Sequence, residues 1–126
     1  MKLILTLSTI LLFFAICFSA CEKIEKDTPP AIKKLIRKEK KNPAVVSEHE
    51  YNNENIYRLY EIGCRDCFVY YYDKNANLLW LSGGIEGKVE GTPLEGFYER
   101  SICKRIIWID KATERYIKEN NIIICK

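Results

Sequence analysis

Histidine is almost missing from this sequence: His49 is the only one in 126 residues. A Ser-His-Asp or Cys-His relay needs an imidazole to carry the proton, so it would have to run through that single position. Ser47 lies two residues away on the same strand face, and the spacing offers no other nucleophile. His49 therefore reads as a surface or hairpin histidine. A charge excess is missing as well. Twenty Lys and Arg against seventeen Asp and Glu give a net charge of +3, too even a balance to drive binding by counterion release from nucleic acid. There is neither a G-x-G-x-x-G nor a Walker spacing, and no Asp-rich calcium ladder. No spacing selects a carboxylate pair for glycoside cleavage. These absences leave no catalytic residue, no cofactor and no nucleic-acid partner to expect.

The one long apolar run stands at the start. Lys2 precedes a stretch from Leu3 to about Phe18, interrupted only by Thr6, Ser8 and Thr9. A charged residue followed by an apolar core is the pattern of a secretory signal, although roughly 18 residues also suffice to span a bilayer. The end of the run decides between them. Phe18-Ser19-Ala20-Cys21 places a bulky residue where ordinary signal peptidase prefers a small one, and it resembles a bacterial lipobox. The resemblance implies cleavage before Cys21 and acylation of that residue with palmitate-type chains. Two or more chains anchor stably, at about 0.8 kcal/mol per buried CH₂. Residues 1–20 are then a lipoprotein signal peptide, residues 21–28 a polar tether, and residues 29–126 one small domain. The expected location is the outer membrane or cell surface, with the periplasmic side as the alternative.

Loss of Cys17 and lipidation of Cys21 leave Cys64, Cys67, Cys103 and Cys125. An even number in an exported domain reads as a disulfide framework with three pairings open. Long-range bridges from the first pair to the last two cysteines are favoured here, because they would constrain the unfolded chain most. A redox Cys64-Arg65-Asp66-Cys67 would be expected to open a helix, whose N-terminus lowers the thiolate pKa. A strand-like run, Phe68 to Tyr72, follows instead. A zinc site usually shows two short cysteine pairs, and Cys103 and Cys125 are not one. No metal is expected.

Pro29-Pro30 after Thr28 starts a helix, with Ile32, Leu35 and Ile36 on one face and Asn42-Pro43 as its stop. The spacing predicts a helix over 29–41. Its basic residues, Lys33, Lys34, Arg37 and Lys38, together with Lys40 and Lys41, read as a solvated face near the lipid end. Strands follow around Val45 to Tyr51, Ile56 to Ile62, Phe68 to Tyr72, Leu78 to Leu81 and Arg105 to Ile109, with turns at residues 52–55 and 73–77. A helix over 111–120 and a last strand over 122–125 complete the reading. The fold class is α+β: an N-terminal helix, then an antiparallel β-meander of about five strands, stabilised by disulfides.

Two features remain as candidates for binding. Gly83, Gly84, Glu86, Gly87, Lys88, Glu90 and Gly91 form a glycine-rich loop, read as an Ω-loop and as the candidate binding loop. Its acids would repel phosphate. Eight Tyr, five Phe and two Trp are more aromatics than a small core needs, so at least one Tyr per strand should be partly exposed. Such rings pack across strands or stack on sugars and partner proteins.

The stretch from Pro43 through Asp110 resembles a family of small uncharacterised Bacteroidota lipoproteins. The resemblance rests on a proline-led first strand, a tyrosine-rich second strand and a cysteine pair beside an acid. The run Ser82-Gly83-Gly84-Ile85-Glu86-Gly87-Lys88-Val89-Glu90-Gly91 follows, then Phe97, Arg100 and Ile107-Trp108. It implies compartment and fold, and no activity. Together these readings predict a non-enzymatic envelope or cell-surface lipoprotein, attached to the membrane through its lipid, that binds a protein or glycan partner, an inhibitor- or immunity-like role being one particular form of this. The alternatives are a thiol–disulfide exchange enzyme using Cys64 and Cys67, and a purely structural envelope protein.

Overall fold

The computed structural model describes residues 23–39 and 45–125. The signal segment 1–20, the lipidation residue Cys21 and the Asn42-Pro43 helix stop lie outside the described residues.

Among the described residues the chain forms helix α1 (Pro30–Lys38), strands β1 (Val45–Tyr51), β2 (Glu54–Tyr60), β3 (Phe68–Tyr72), β4 (Leu78–Gly83) and β5 (Lys88–Gly91), the short helix α2 (Phe97–Arg100), strand β6 (Ile102–Ile109) and helix α3 (Lys111–Glu119). The strands make one antiparallel sheet in the order β5-β4-β3-β2-β1-β6. The α+β class and the meander are as the sequence predicts, with six strands rather than about five.

The extra strand comes from the glycine-rich segment, which is a hairpin and not an Ω-loop. Residues 84–87 turn the chain, with the Gly87 N–H donating to the Gly84 carbonyl at 3.2 Å, and β5 pairs back on β4 from Gly83↔Lys88 to Trp80↔Gly91. The glycines are needed for close approach. Gly83 has φ +136°, and a Cβ there would sit 2.4 Å from the Cys67 carbonyl oxygen. The expected last strand over 122–125 does not form. Asn121, at φ +52°, turns the chain directly after α3, and Cys125 is tied to the sheet through its side chain.

The two sheet faces carry separate cores. Ile32 and Ile36 of α1 are fully buried on one face, against Val46, Tyr57, Leu59, Ile107 and Trp108. A register shift in the β1–β6 ladder matches Val46 with Trp108 but Ser47 with Ile106. The extra residue, Ile107, is a bulge, and it lets both Ile107 and Trp108 pack beneath the helix. Arg37 and Lys38 fill the last turn of α1, which suits the negative end of its dipole. Thr28 does not cap the helix. Its hydroxyl donates to the Glu25 carbonyl at 2.6 Å. On the other face Phe97 of α2 closes over Tyr51, Ile56, Tyr71 and Trp80. In α3 the Asp110 side chain accepts the Thr113 N–H at 2.8 Å, the N-cap the sequence predicts.

Candidate functional site

The tips of two hairpins and the segment before α1 enclose a groove of about 710 Å³, within the range of ligand-binding clefts. Its walls are polar. Asn53 and Asn55 come from the β1–β2 turn, where Asn52 and Asn53 adopt positive φ. Asp73 and Asn75 come from the β3–β4 turn. Asp73 stiffens that turn by accepting hydrogen bonds from the Asn75 N–H at 2.8 Å and from the Asn77 N–H and side-chain amide at 2.9 Å each. Burial alone would raise the Asp73 pKa, but these donors hold it below its ordinary value. The groove's most enclosed acid is Glu48, whose carboxylate accepts from Arg105 Nε at 2.6 Å. Burial, then the nearby Glu48 charge, push the Tyr57 phenol up.

The opposite face carries a second polar cluster. Strand pairing lines up Ser47, Arg58, Tyr71 and Trp80 in one row across β1, β2, β3 and β4. His49 Nε2 lies 2.9 Å from Ser47 Oγ. The histidine is buried, not a surface residue, because β1 is flanked by β2 and β6 and the Phe97 ring packs 5.8 Å from the imidazole. Burial, then the Arg58 charge, lower its pKa to about 4. The Arg58 guanidinium lies 4.4 Å above the Tyr60 ring and 5.9 Å from that of Tyr71. Beyond it, the Tyr71 hydroxyl donates to the Tyr98 oxygen at 3.2 Å, and Ser82 Oγ is 3.5 Å from the same oxygen.

The cysteines pair locally, Cys64 with Cys67 and Cys103 with Cys125. This corrects the long-range pairing favoured from sequence. Cys103 sits opposite His49 on edge strand β6, and β1 separates it from β2. Strands two apart are about 10 Å from one another, whereas a disulfide needs Cα atoms within about 7 Å. The Cys64–Cys67 loop also lies beyond Tyr60, at the far end of β1 from His49. The Glu61 carboxylate lies 3.2 Å from Cys67 Sγ.

The expected binding-loop residues Gly83, Gly84, Glu86, Gly87, Lys88, Glu90 and Gly91 end β4 and build the outer hairpin. There Lys88 and Glu90 form an exposed ion pair at 2.6 Å. The structure does not bring them to either polar cluster. Glu48 and Arg58 escaped the sequence reading. Their one signal was alternation: each is a charged residue inside a run of strand-forming side chains, and one strand face had to bury it.

Residues 33–110 match a family described as a domain of unknown function (DUF6970), and the chain belongs to that family. No curated protein and no solved structure matches it.

Proposed function

We propose that this chain is a non-enzymatic binding module of a bacterial envelope or cell surface. It is anchored by lipid on Cys21, as in the Bacteroidota lipoproteins it resembles, and takes a glycan in the hairpin-tip groove. The groove carries the reading. Asn53, Asn55 and Asn75 line it together with Asp27, Glu54 and Asp73, and Leu79 and Leu94 are the apolar part of the wall. Planar amides and carboxylates match the paired hydroxyls of a sugar, and mixed polar and apolar walls suit its two kinds of surface. Glu48 is committed to Arg105, an arrangement that fits recognition better than proton transfer. The Phe18-Ser19-Ala20-Cys21 run supports the anchor. The test is a glycan array probed with the exported chain and with Asn55→Ala and Asn75→Ala variants. Saturable binding to a saccharide class, weakened at least tenfold in both variants, is expected. Binding that both variants retain in full, or no saccharide bound at all, would overturn the glycan reading. An unmodified N-terminus in the membrane fraction would overturn the anchor.

One observation favours thiol–disulfide exchange as a second reading: Cys64 and Cys67 are bridged to each other, with Glu61 beside Cys67. Against it, the cysteine loop leads into strand β3 and not into a helix. Reduction of an insulin disulfide by the dithiol form, lost in Cys64→Ser, would support exchange.

A further inference from the structure

We propose that Arg58 is the centre of a second binding site, independent of the groove and on the opposite sheet face, which takes a carboxylate ligand. A cation in the middle of a six-stranded sheet needs a counter-charge or water, because an enclosed unpaired charge is expensive. Arg58 has no carboxylate partner among the described residues. Its Nε is buried and makes no hydrogen bond. Its Nε is therefore a donor without an acceptor among the described residues, on a guanidinium that is only half-buried.

The surroundings are arranged as a receptor for one negative charge. Ser47 stands directly across from Arg58 on β1, and Tyr71 directly across on β3. The Tyr60 ring supports the guanidinium from below. His49 contributes no second charge, since its imidazole is neutral above about pH 4. The patch is also reachable. Along β2, Ile56 lies under Phe97, and Gly63 beyond the strand end meets Tyr116 of α3. Arg58 falls between these two covers and is half-buried, and Tyr98 beside the cluster is 63 % exposed.

One planar guanidinium matches one planar carboxylate through paired N–H donors. A phosphate dianion would call for a second cation, and among the described residues none belongs to this cluster. The tyrosine rings suit a carboxylate carried on a flat or ring-shaped body, such as an aromatic acid or a uronic acid.

The single histidine supplies the probe. The His49 ring protons are followed by NMR across pH on the full chain, without ligand and with benzoate, glucuronate or phosphate. Benzoate or glucuronate is expected to shift the His49 signals saturably and to raise its pKa, because a bound carboxylate cancels the Arg58 charge. Arg58→Gln should raise the His49 pKa without ligand and abolish the response. Arg58→Lys keeps the charge and removes the fork, so it should hold the His49 pKa low while weakening binding at least tenfold. A response to phosphate stronger than to either carboxylate would overturn the ligand class. No response to any anion, or an undiminished response in Arg58→Lys, would overturn the site. The groove lies near the probe, since Ile56 opposite His49 lines it, so Asn55→Ala is the control: it should leave the His49 response to benzoate intact.

Discussion

The rings of Tyr71 and Trp80 lie flat against each other, centroids 4.1 Å apart and planes within 9°. Phe97 meets both edge-on, at 5.5 Å and 5.2 Å. This three-ring packing joins α2 to the middle of the sheet. Trp80 is fully buried, so Trp80→Ala removes a large side chain with little room for collapse. We expect a loss of about 3–5 kcal/mol in urea unfolding. Trp80→Phe, which keeps a ring, should lose less than half of that.

The two disulfides should differ in their contribution. The Cys103–Cys125 bridge spans 22 residues and the Cys64–Cys67 bridge only 3. Loop entropy then predicts about 3 kcal/mol for the first and about 2 kcal/mol for the second. Comparing Cys103→Ser/Cys125→Ser with Cys64→Ser/Cys67→Ser by thermal unfolding checks the order. Non-reducing peptide mapping checks the pairing, and a peptide linking residue 64 or 67 to 103 or 125 would refute it.

His49 makes the fold sensitive to acid. The folded chain keeps the imidazole neutral to about pH 4, whereas the unfolded chain takes up its proton near 6.5. A lowered folded pKa contributes stability that is complete above about pH 6.5 and is lost as pH falls toward 4. Between pH 6.5 and 5 the slope should approach roughly 1.4 kcal/mol per pH unit. His49→Gln should flatten that segment of the stability profile. An unchanged slope would mean that the imidazole takes up its proton at the same pH in the folded and unfolded chains.

The outer hairpin separates two kinds of glycine. Gly87 has φ +63° with nothing within 4 Å of the place a Cβ would take, whereas Gly83 abuts the Cys67 backbone. Gly87→Ala carries only the backbone penalty, about 1 kcal/mol. Gly83→Ala adds a collision with a main-chain oxygen and should lose about 3 kcal/mol. Chemical denaturation of the two variants measures the difference directly.

Much of the fold was legible because it is written in near neighbours. Ile32 and Ile36 mark one helix face by their spacing, and both are fully buried. The Asn-rich stretch between β1 and β2 turned the chain where residues of that kind tolerate positive φ. Asp110 capped α3 as its place before Lys111 predicts. The glycine run was misread because glycine marks a close approach as readily as a loop. Only the neighbouring strand β3 shows which: Gly83 is bare because the Cys67 carbonyl occupies the space a side chain would need.

The sequence by itself determined which segments become helix or strand, since 3.6- and 2-residue periods and turn residues act over a few positions. It also set the even number of cysteines that follow Cys21. Strand order decided everything that depends on residues far apart in the chain. Placing β6 beside β1 set Cys103 out of reach of Cys64 and Cys67, matched Arg105 to Glu48 and buried the only histidine. Placing β2 between β1 and β3 left Arg58 facing Ser47 and Tyr71 instead of an acid. Those pairings arise from long-range packing of two cores on one sheet, which no local pattern encodes.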